Sequence, residues 1–211
     1  DIMNQIFNFF IDPYRTLGLF DIGLEITAVL FGITSVVFAK RENIWVYPTG
    51  LISTCIYVYI CYQYTLYGDI LINIYYTVMS IYGWYIWSKT ANNKHLSITK
   101  STSKDWIKVG AIFSFTSIFV IFIYLYFDRF HQATDYFDTL TTGIFFAGMW
   151  LMANKKIEHW TFWIVGNFIS IPLYFVKGLG FSGIQFTIFL FLAYQGHKAW
   201  TKILNKTQPI A

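Results

Sequence analysis

Seven apolar segments, each roughly 18–24 residues long, dictate what this chain can fold into. They run Gly18–Ala39, Ile44–Cys61, Leu66–Trp87, Trp106–Phe127, Tyr136–Ala153, His159–Val176 and Phe181–Trp200. At about 1.5 Å of helix per residue, each can cross a hydrocarbon layer about 30 Å thick. Lipid offers no hydrogen bonds, so a spanning segment must satisfy its own backbone as a helix or join a closed barrel. None of the segments alternates polar and apolar residues, so the pattern predicts helices. Charged residues are 12% of the chain, against about 25% in soluble domains. The fold expected is an all-α membrane protein with seven transmembrane helices. A net charge of +4, scattered between apolar blocks, argues against a nucleic-acid partner.

The stretches between and around these segments set orientation. Residues 1–16 read as a short interfacial helix, with Ile6, Phe9 and Phe10 apolar and Pro13 ending it. The opening Asp1-Ile2-Met3-Asn4-Gln5 lacks a basic region, so no cleavable signal peptide is expected. Residues 89–105, rich in Lys, Asn, Ser and Thr, read as a solvated cytoplasmic linker, and 201–211 as a cytoplasmic tail. Of the 15 Lys and Arg residues, only Arg15, Arg129 and Lys177 fall on the other side. The positive-inside bias therefore places the N-terminus outside and the C-terminus in the cytoplasm.

The chain also matches itself. Gly32 and Gly50 align with Gly148 and Gly166 at an offset of 116, whereas Tyr82-Gly83-Trp84 aligns with Gln195-Gly196-His197 at 113. Residues 17–88 and 136–200 then form two three-helix repeats, joined by the helix at 106–127. Both repeats start on the same side, which gives a 3+1+3 parallel arrangement of the kind found among transporters.

One run could carry binding chemistry. Trp160-Thr161-Phe162-Trp163-Ile164-Val165-Gly166-Asn167 places Trp160, Trp163 and Asn167 on one helix face. Two indoles suit a flat ring and attract a cationic one further, and Asn167 can both donate and accept about 12 Å into its helix. A second face holds Asn73, Tyr76, Ser80 and Trp84, and the last segment adds Gln185, Thr187 and Gln195. For Asn73 and Gln185 the competing reading is interhelical hydrogen bonding, worth about 0.6 kcal/mol. Ser80 and Thr187 read as structural.

The acidic residues Asp21, Glu25, Asp69 and Asp138 lie in the outer parts of their segments, where helix-start capping explains most of them. His95, His131, His159 and His197 lack metal-ligand spacing, and Cys55 and Cys61 fit packing rather than a zinc or redox pair. No nucleophile elbow, phosphate loop or zinc-protease motif occurs, so no enzyme, metal or cofactor is expected.

With these residues in place, the chain resembles the PnuC family of bacterial vitamin transporters. The double-tryptophan run with its asparagine carries the resemblance, together with Asn73-Ile74-Tyr75-Tyr76, Tyr82-Gly83-Trp84-Tyr85-Ile86-Trp87 and Asn43-Ile44-Trp45-Val46-Tyr47-Pro48. It extends from Asp21 to Lys202, with Gln195, His197 and Asn73 departing from the expected pattern. The resemblance implies a fold like a full-length SWEET transporter, a homotrimer in the inner membrane, and uptake of nicotinamide riboside. It also implies facilitated diffusion by alternating access, with a cytoplasmic kinase trapping the entering riboside. On that reading Trp160 and Trp163 sandwich the nicotinamide ring, Asn167 bonds its carboxamide or ribose, and Asn73, Tyr76 and Gln185 complete the site. Thiamine is the alternative cargo, and a receptor or assembly subunit the non-transport alternative.

Overall fold

The computed structural model describes residues 2–12, 18–63, 67–91, 94–128, 132–176 and 180–207, with backbone alone for 67–69, 90–91 and 94–95. Pro13, Arg15, Arg129, His131 and Lys177 therefore lie outside the described residues, as do the side chains of Asp69, Lys94 and His95. Eight helices are present among the described residues: α1 Ile2–Ile11, α2 Leu19–Lys40, α3 Val46–Gln63, α4 Tyr67–Ser88, α5 Ser103–Tyr126, α6 Ala133–Ala153, α7 His159–Val176 and α8 Gly180–Thr207. The long helices fall on the apolar segments, and α8 continues past Trp200 to Thr207. Judged alone, α2 and α5 are long and apolar enough to cross a membrane. The outer surface explains how the set behaves together: Leu19, Phe115, Ile118, Phe168 and Phe191 are all more than half exposed. An outside this apolar requires lipid or another protein against it.

Packing follows a closed circuit. Helix α2 packs on α3, α3 on α4, α4 on α6, α6 on α7, α7 on α8, and α8 returns to α2, while α5 lies against α6. Helix α1 touches α8, with the Phe10 and Phe181 rings edge to face at 5.3 Å.

Contacts recur around this circuit at a spacing of 113 residues. Helices α3 and α7 start at Val46 and His159, and α4 and α8 start at Tyr67 and Gly180. At the lysine-rich end, Gly83 packs under the Tyr47 ring and Gly196 under the Trp160 indole, so closely that an added Cβ would overlap either ring. The Trp87 indole N–H donates to the Ala153 carbonyl at 3.1 Å, and that of Trp200 to the Ala39 carbonyl at 2.9 Å, the donors 113 residues apart and the acceptors one residue off that spacing. Those four aromatic rings, with Ile98 and Leu204, form the main buried core.

The same spacing corrects the offset of 116 drawn from the glycines. A Cβ on Gly32 would meet Ser53 Oγ at 3.2 Å, and the equivalent contact pairs Phe145 with Gly166, where a Cβ would sit 2.6 Å from the ring. Likewise Gly50 meets Ser35, and Gly148 meets Trp163. The small residue swaps helices between equivalent contacts, so aligning glycine with glycine shifts the register by three.

The α2–α3 and α6–α7 turns each hold a residue with positive φ, Glu42 at 56° and Lys155 at 50°. These two residues form an ion pair at 2.7 Å, and the Lys155 ammonium also lies 4.4 Å from the Trp87 ring centroid. Lys155 is 7% exposed in its side chain and Glu42 is 26% exposed. Loss of the carboxylate strands a nearly dry ammonium, whereas loss of the ammonium leaves a carboxylate that water can reach. We therefore expect Glu42→Gln to cost about 1–3 kcal/mol and Lys155→Met distinctly less, measured as melting temperatures in detergent. A larger loss for Lys155→Met would contradict this asymmetry.

The α4–α5 connection is more ordered than a solvated linker. It forms a two-residue hairpin, β1 (Thr90–Ala91) with β2 (Lys94–His95), and then buries Ile98 in the core. Thr99 pairs with the α6–α7 turn, donating to the Lys155 carbonyl and accepting from the Ile157 N–H. Glu158 accepts from the Ser101 N–H at 3.0 Å. Thr102 caps α5 reciprocally with Asp105, whose carboxyl is held down at about 2 by the Thr102 N–H, the Thr102 hydroxyl and Lys156. A polar composition concealed this docking because the bonds are made mainly by backbone.

Candidate functional site

Helix α7 positions Trp160, Trp163, Asn167, Ser170 and Tyr174 along one face by three- and four-residue steps. The tryptophans do different things. Trp160 is fully buried, lying against Gly196 and perpendicular to Trp200 at 5.8 Å. The Trp160 and Trp163 rings are 5.5 Å apart at 83°. Two rings at right angles and in contact cannot sandwich a flat ligand between them, which corrects the expected stacking arrangement. Trp163 is half-buried and is the indole with surface left to offer.

Asn167 is 3% exposed, and its side-chain amide makes no hydrogen bond among the described residues. Ser170, at 1% exposure, also has an unpartnered hydroxyl. Nearer the lysine-rich end, His159 donates from Nδ1 to the Lys156 carbonyl at 2.8 Å, the tautomer this contact requires. Among the described residues its Nε2 has no partner, nor does the Trp160 indole N–H beside it. Unpaired polar atoms in a dry interior are costly, so a run of them along one helix marks a place where something polar belongs.

The facing wall is aromatic. Tyr75 on α4 stacks on Phe146 of α6 at 3.7 Å and donates its hydroxyl to the Phe146 carbonyl at 2.9 Å. Tyr76 meets the same phenyl edge-on at 5.8 Å and lies near Tyr174. Phe186 on α8 packs against Tyr174 at 4.7 Å and Phe145 at 6.1 Å. Counting from Ser88, Ala153, His159 and Trp200 at about 1.5 Å per residue, these rings sit at about the depth of Asn167 to Tyr174. Phe145, Phe146, Tyr174 and Phe186 were not singled out from the sequence. Among 22 Phe and 16 Tyr residues, ring content alone carries no address.

The remaining expected residues divide. Tyr76 reaches this wall. Asn73 makes its own interactions within the protein, and its backbone carbonyl accepts from Thr77 at 2.8 Å. Gln185 lies against the Tyr57 hydroxyl, which also faces Glu25. Ser80 is buried beside Gly50, and Trp84 is 41% exposed, so the predicted α4 stripe does not stay on one wall. Gln195 accepts from Lys40 at 2.6 Å. No three of the described His, Cys, Asp and Glu residues come together as a metal site.

The sequence from residue 22 to residue 202 matches the nicotinamide mononucleotide transporter family. The chain belongs to that family. Among its relatives is the nicotinamide riboside transporter PnuC of Escherichia coli (strain K12), 24% identical over 203 residues and 84% of each chain. The riboflavin/roseoflavin transporter RibM of Streptomyces davaonensis is 24% identical over 175 residues, 81% of each chain. The crystal structure of the vitamin B3 transporter PnuC aligns with a TM-score of 0.67 and 25% identity, covering 88% of this chain and 83% of that one. Its membership of a transporter family gives the polar face of α7 a context. A transporter needs a site that a small molecule can fill and leave, and unpaired groups at mid-depth serve that need.

Proposed function

We propose that the protein is a bacterial inner-membrane transporter that takes up nicotinamide riboside. The observation that carries the reading is Asn167, a nearly buried amide with no hydrogen bond among the described residues, one helical turn from Trp163 in a chain of this family. Trp163 and the facing aromatic wall suit the pyridinium ring, with cation–π attraction adding about 0.5–2 kcal/mol. Asn167 bonds the carboxamide or the ribose, and Tyr76 closes the site from α4. Trp160, Asn73 and Gln185 support that arrangement from positions already engaged with protein.

The helices are arranged as 3+1+3, with α2–α4 and α6–α8 as parallel repeats and α5 as the joiner. In support, the contact circuit maps onto itself when each half is exchanged for the other. The N-terminus lies outside and the C-terminus inside, as the lysine distribution favours. Transport is facilitated diffusion, with trapping by cytoplasmic phosphorylation, as the resemblance to the family implies; in support, Asp21 and Asp138 sit near helix starts. The protein works as a homotrimer, in keeping with its exposed apolar exterior.

Counterflow into proteoliposomes tests the reading, with labelled nicotinamide riboside, thiamine and riboflavin offered in turn. Exchange of nicotinamide riboside without an imposed ion gradient is expected. Exchange of thiamine or riboflavin alone would reassign the cargo, and exchange of none would leave a receptor or assembly subunit.

A further inference from the structure

The inward positions of α7 have counterparts on α3 at the same spacing of 113, and the two sets differ in one respect. Thr54 and Tyr57 correspond to Asn167 and Ser170. On α3 both are satisfied within the protein: the Thr54 and Thr77 hydroxyls are 2.9 Å apart, and the Tyr57 hydroxyl lies against Gln185. On α7 neither is. Asn167 forms no hydrogen bond among the described residues, and the Ser170 hydroxyl is buried without a partner.

That state is unusual for a serine or threonine hydroxyl among the described residues. Serine and threonine in a helix can return their hydroxyl to a carbonyl one turn back. Thr49, Thr141 and Thr187 do so here, at 2.7–2.9 Å. The Ser170 hydroxyl makes no such bond to the Gly166 carbonyl. Ser117 is also unpartnered, but it packs against Gly143 on the α5 side, outside the helix circuit. Two residues further along α7, Pro172 lacks the N–H that would bond the Phe168 carbonyl, so the helix is also short of one backbone bond in this stretch.

We propose that Ser170 is a specificity-determining contact. Its hydroxyl and the Asn167 amide together bind the hydroxyls of a sugar attached to a flat ring, while Phe145, Tyr174 and Phe186 pack around the ring. Residues three apart on a helix present their side chains about 5–6 Å from each other, a span that one pentose covers. A serine hydroxyl both donates and accepts, so it matches a sugar hydroxyl in either sense. The proposal rests on the transporter reading and adds to it the group that distinguishes a riboside from its free base.

The test is a titration of purified wild type and Ser170→Ala with nicotinamide riboside and with its 2′,3′-dideoxy analogue. Ser170→Ala is expected to weaken the riboside about 5- to 20-fold and to leave the dideoxy analogue unchanged. The melting temperature of the ligand-free protein should not fall, since the hydroxyl holds nothing there. Unchanged riboside affinity in Ser170→Ala, or equal losses for both ligands, would overturn the assignment while the transporter reading stood. Failure of the wild type to bind the riboside would overturn both.

Discussion

Asn167→Leu is expected to eliminate measurable substrate binding while raising the melting temperature of the ligand-free protein. The two effects have one cause. The amide is 3% exposed and makes no hydrogen bond among the described residues, so in the empty protein little of its desolvation cost is returned. Leucine has a similar volume and no polar atoms, and replacing an unsatisfied buried group stabilises by about 1–3 kcal/mol. With substrate bound the balance reverses, because the ligand groups that faced the amide now meet a methyl surface. Losing one or two hydrogen bonds in a dry site costs about 1–3 kcal/mol each, roughly 5- to 150-fold per bond in affinity. Thermal unfolding in detergent and isothermal titration separate the two effects. A variant that melts earlier yet binds normally would identify Asn167 as a structural amide.

Gly196→Val should destabilise the protein severely, and Gly83→Val should do so to a similar degree. In each case the added Cβ falls on a buried ring, Trp160 for Gly196 and Tyr47 for Gly83. Trp160 and Tyr47 are 0% exposed and hemmed in by Trp200 and Trp87, so neither ring has space to retreat. Overpacking of this kind costs about 1–3 kcal/mol where neighbours can shift and more where they cannot. Shrinking the ring should restore what the valine removes: Trp160→Ala rescues Gly196→Val, and Tyr47→Ala rescues Gly83→Val. The crossed combinations should give no rescue. Fluorescence-detected size exclusion with a melting series reads all of these, and a Gly196→Val protein with wild-type stability would refute the contact.

The long helices were legible because lipid permits so little else. A run such as Leu19–Lys40 has one way to satisfy its backbone in hydrocarbon, and length and composition locate it within a few residues. Helix ends that depend on partners were less legible. Helix α8 continues to Thr207 with Leu204 buried in the core, a contact invisible to hydropathy. The same holds for the α4–α5 connection, whose polar residues read as solvated while Ile98 and the Thr99 backbone were docking onto the α6–α7 turn.

Within the candidate site, the sequence pointed to Asn167 because an amide at mid-span is rare enough to notice, and to Trp163 and Tyr76 because they share a helix face with Asn167 and Asn73. It overestimated Trp160, whose helical spacing from Trp163 suggested a pair of parallel plates. Spacing places two side chains on one face but leaves their ring planes free, and here packing against Gly196 set the plane. Ser170 was overlooked because a serine in a helix ordinarily bonds its own backbone. Only the geometry distinguishes a satisfied hydroxyl from an orphan.

The sequence by itself determined that this chain is a helical membrane protein, with its lysines gathered at one end and a polar face on the helix from His159 to Val176. Those properties follow from solvation, which each segment experiences alone. Tertiary structure decided the register of 113, the pairing of Glu42 with Lys155, and which mid-depth polar groups are satisfied. Whether Thr54 finds Thr77, or Ser170 finds nothing, depends on which helices adjoin, and no single segment holds that information.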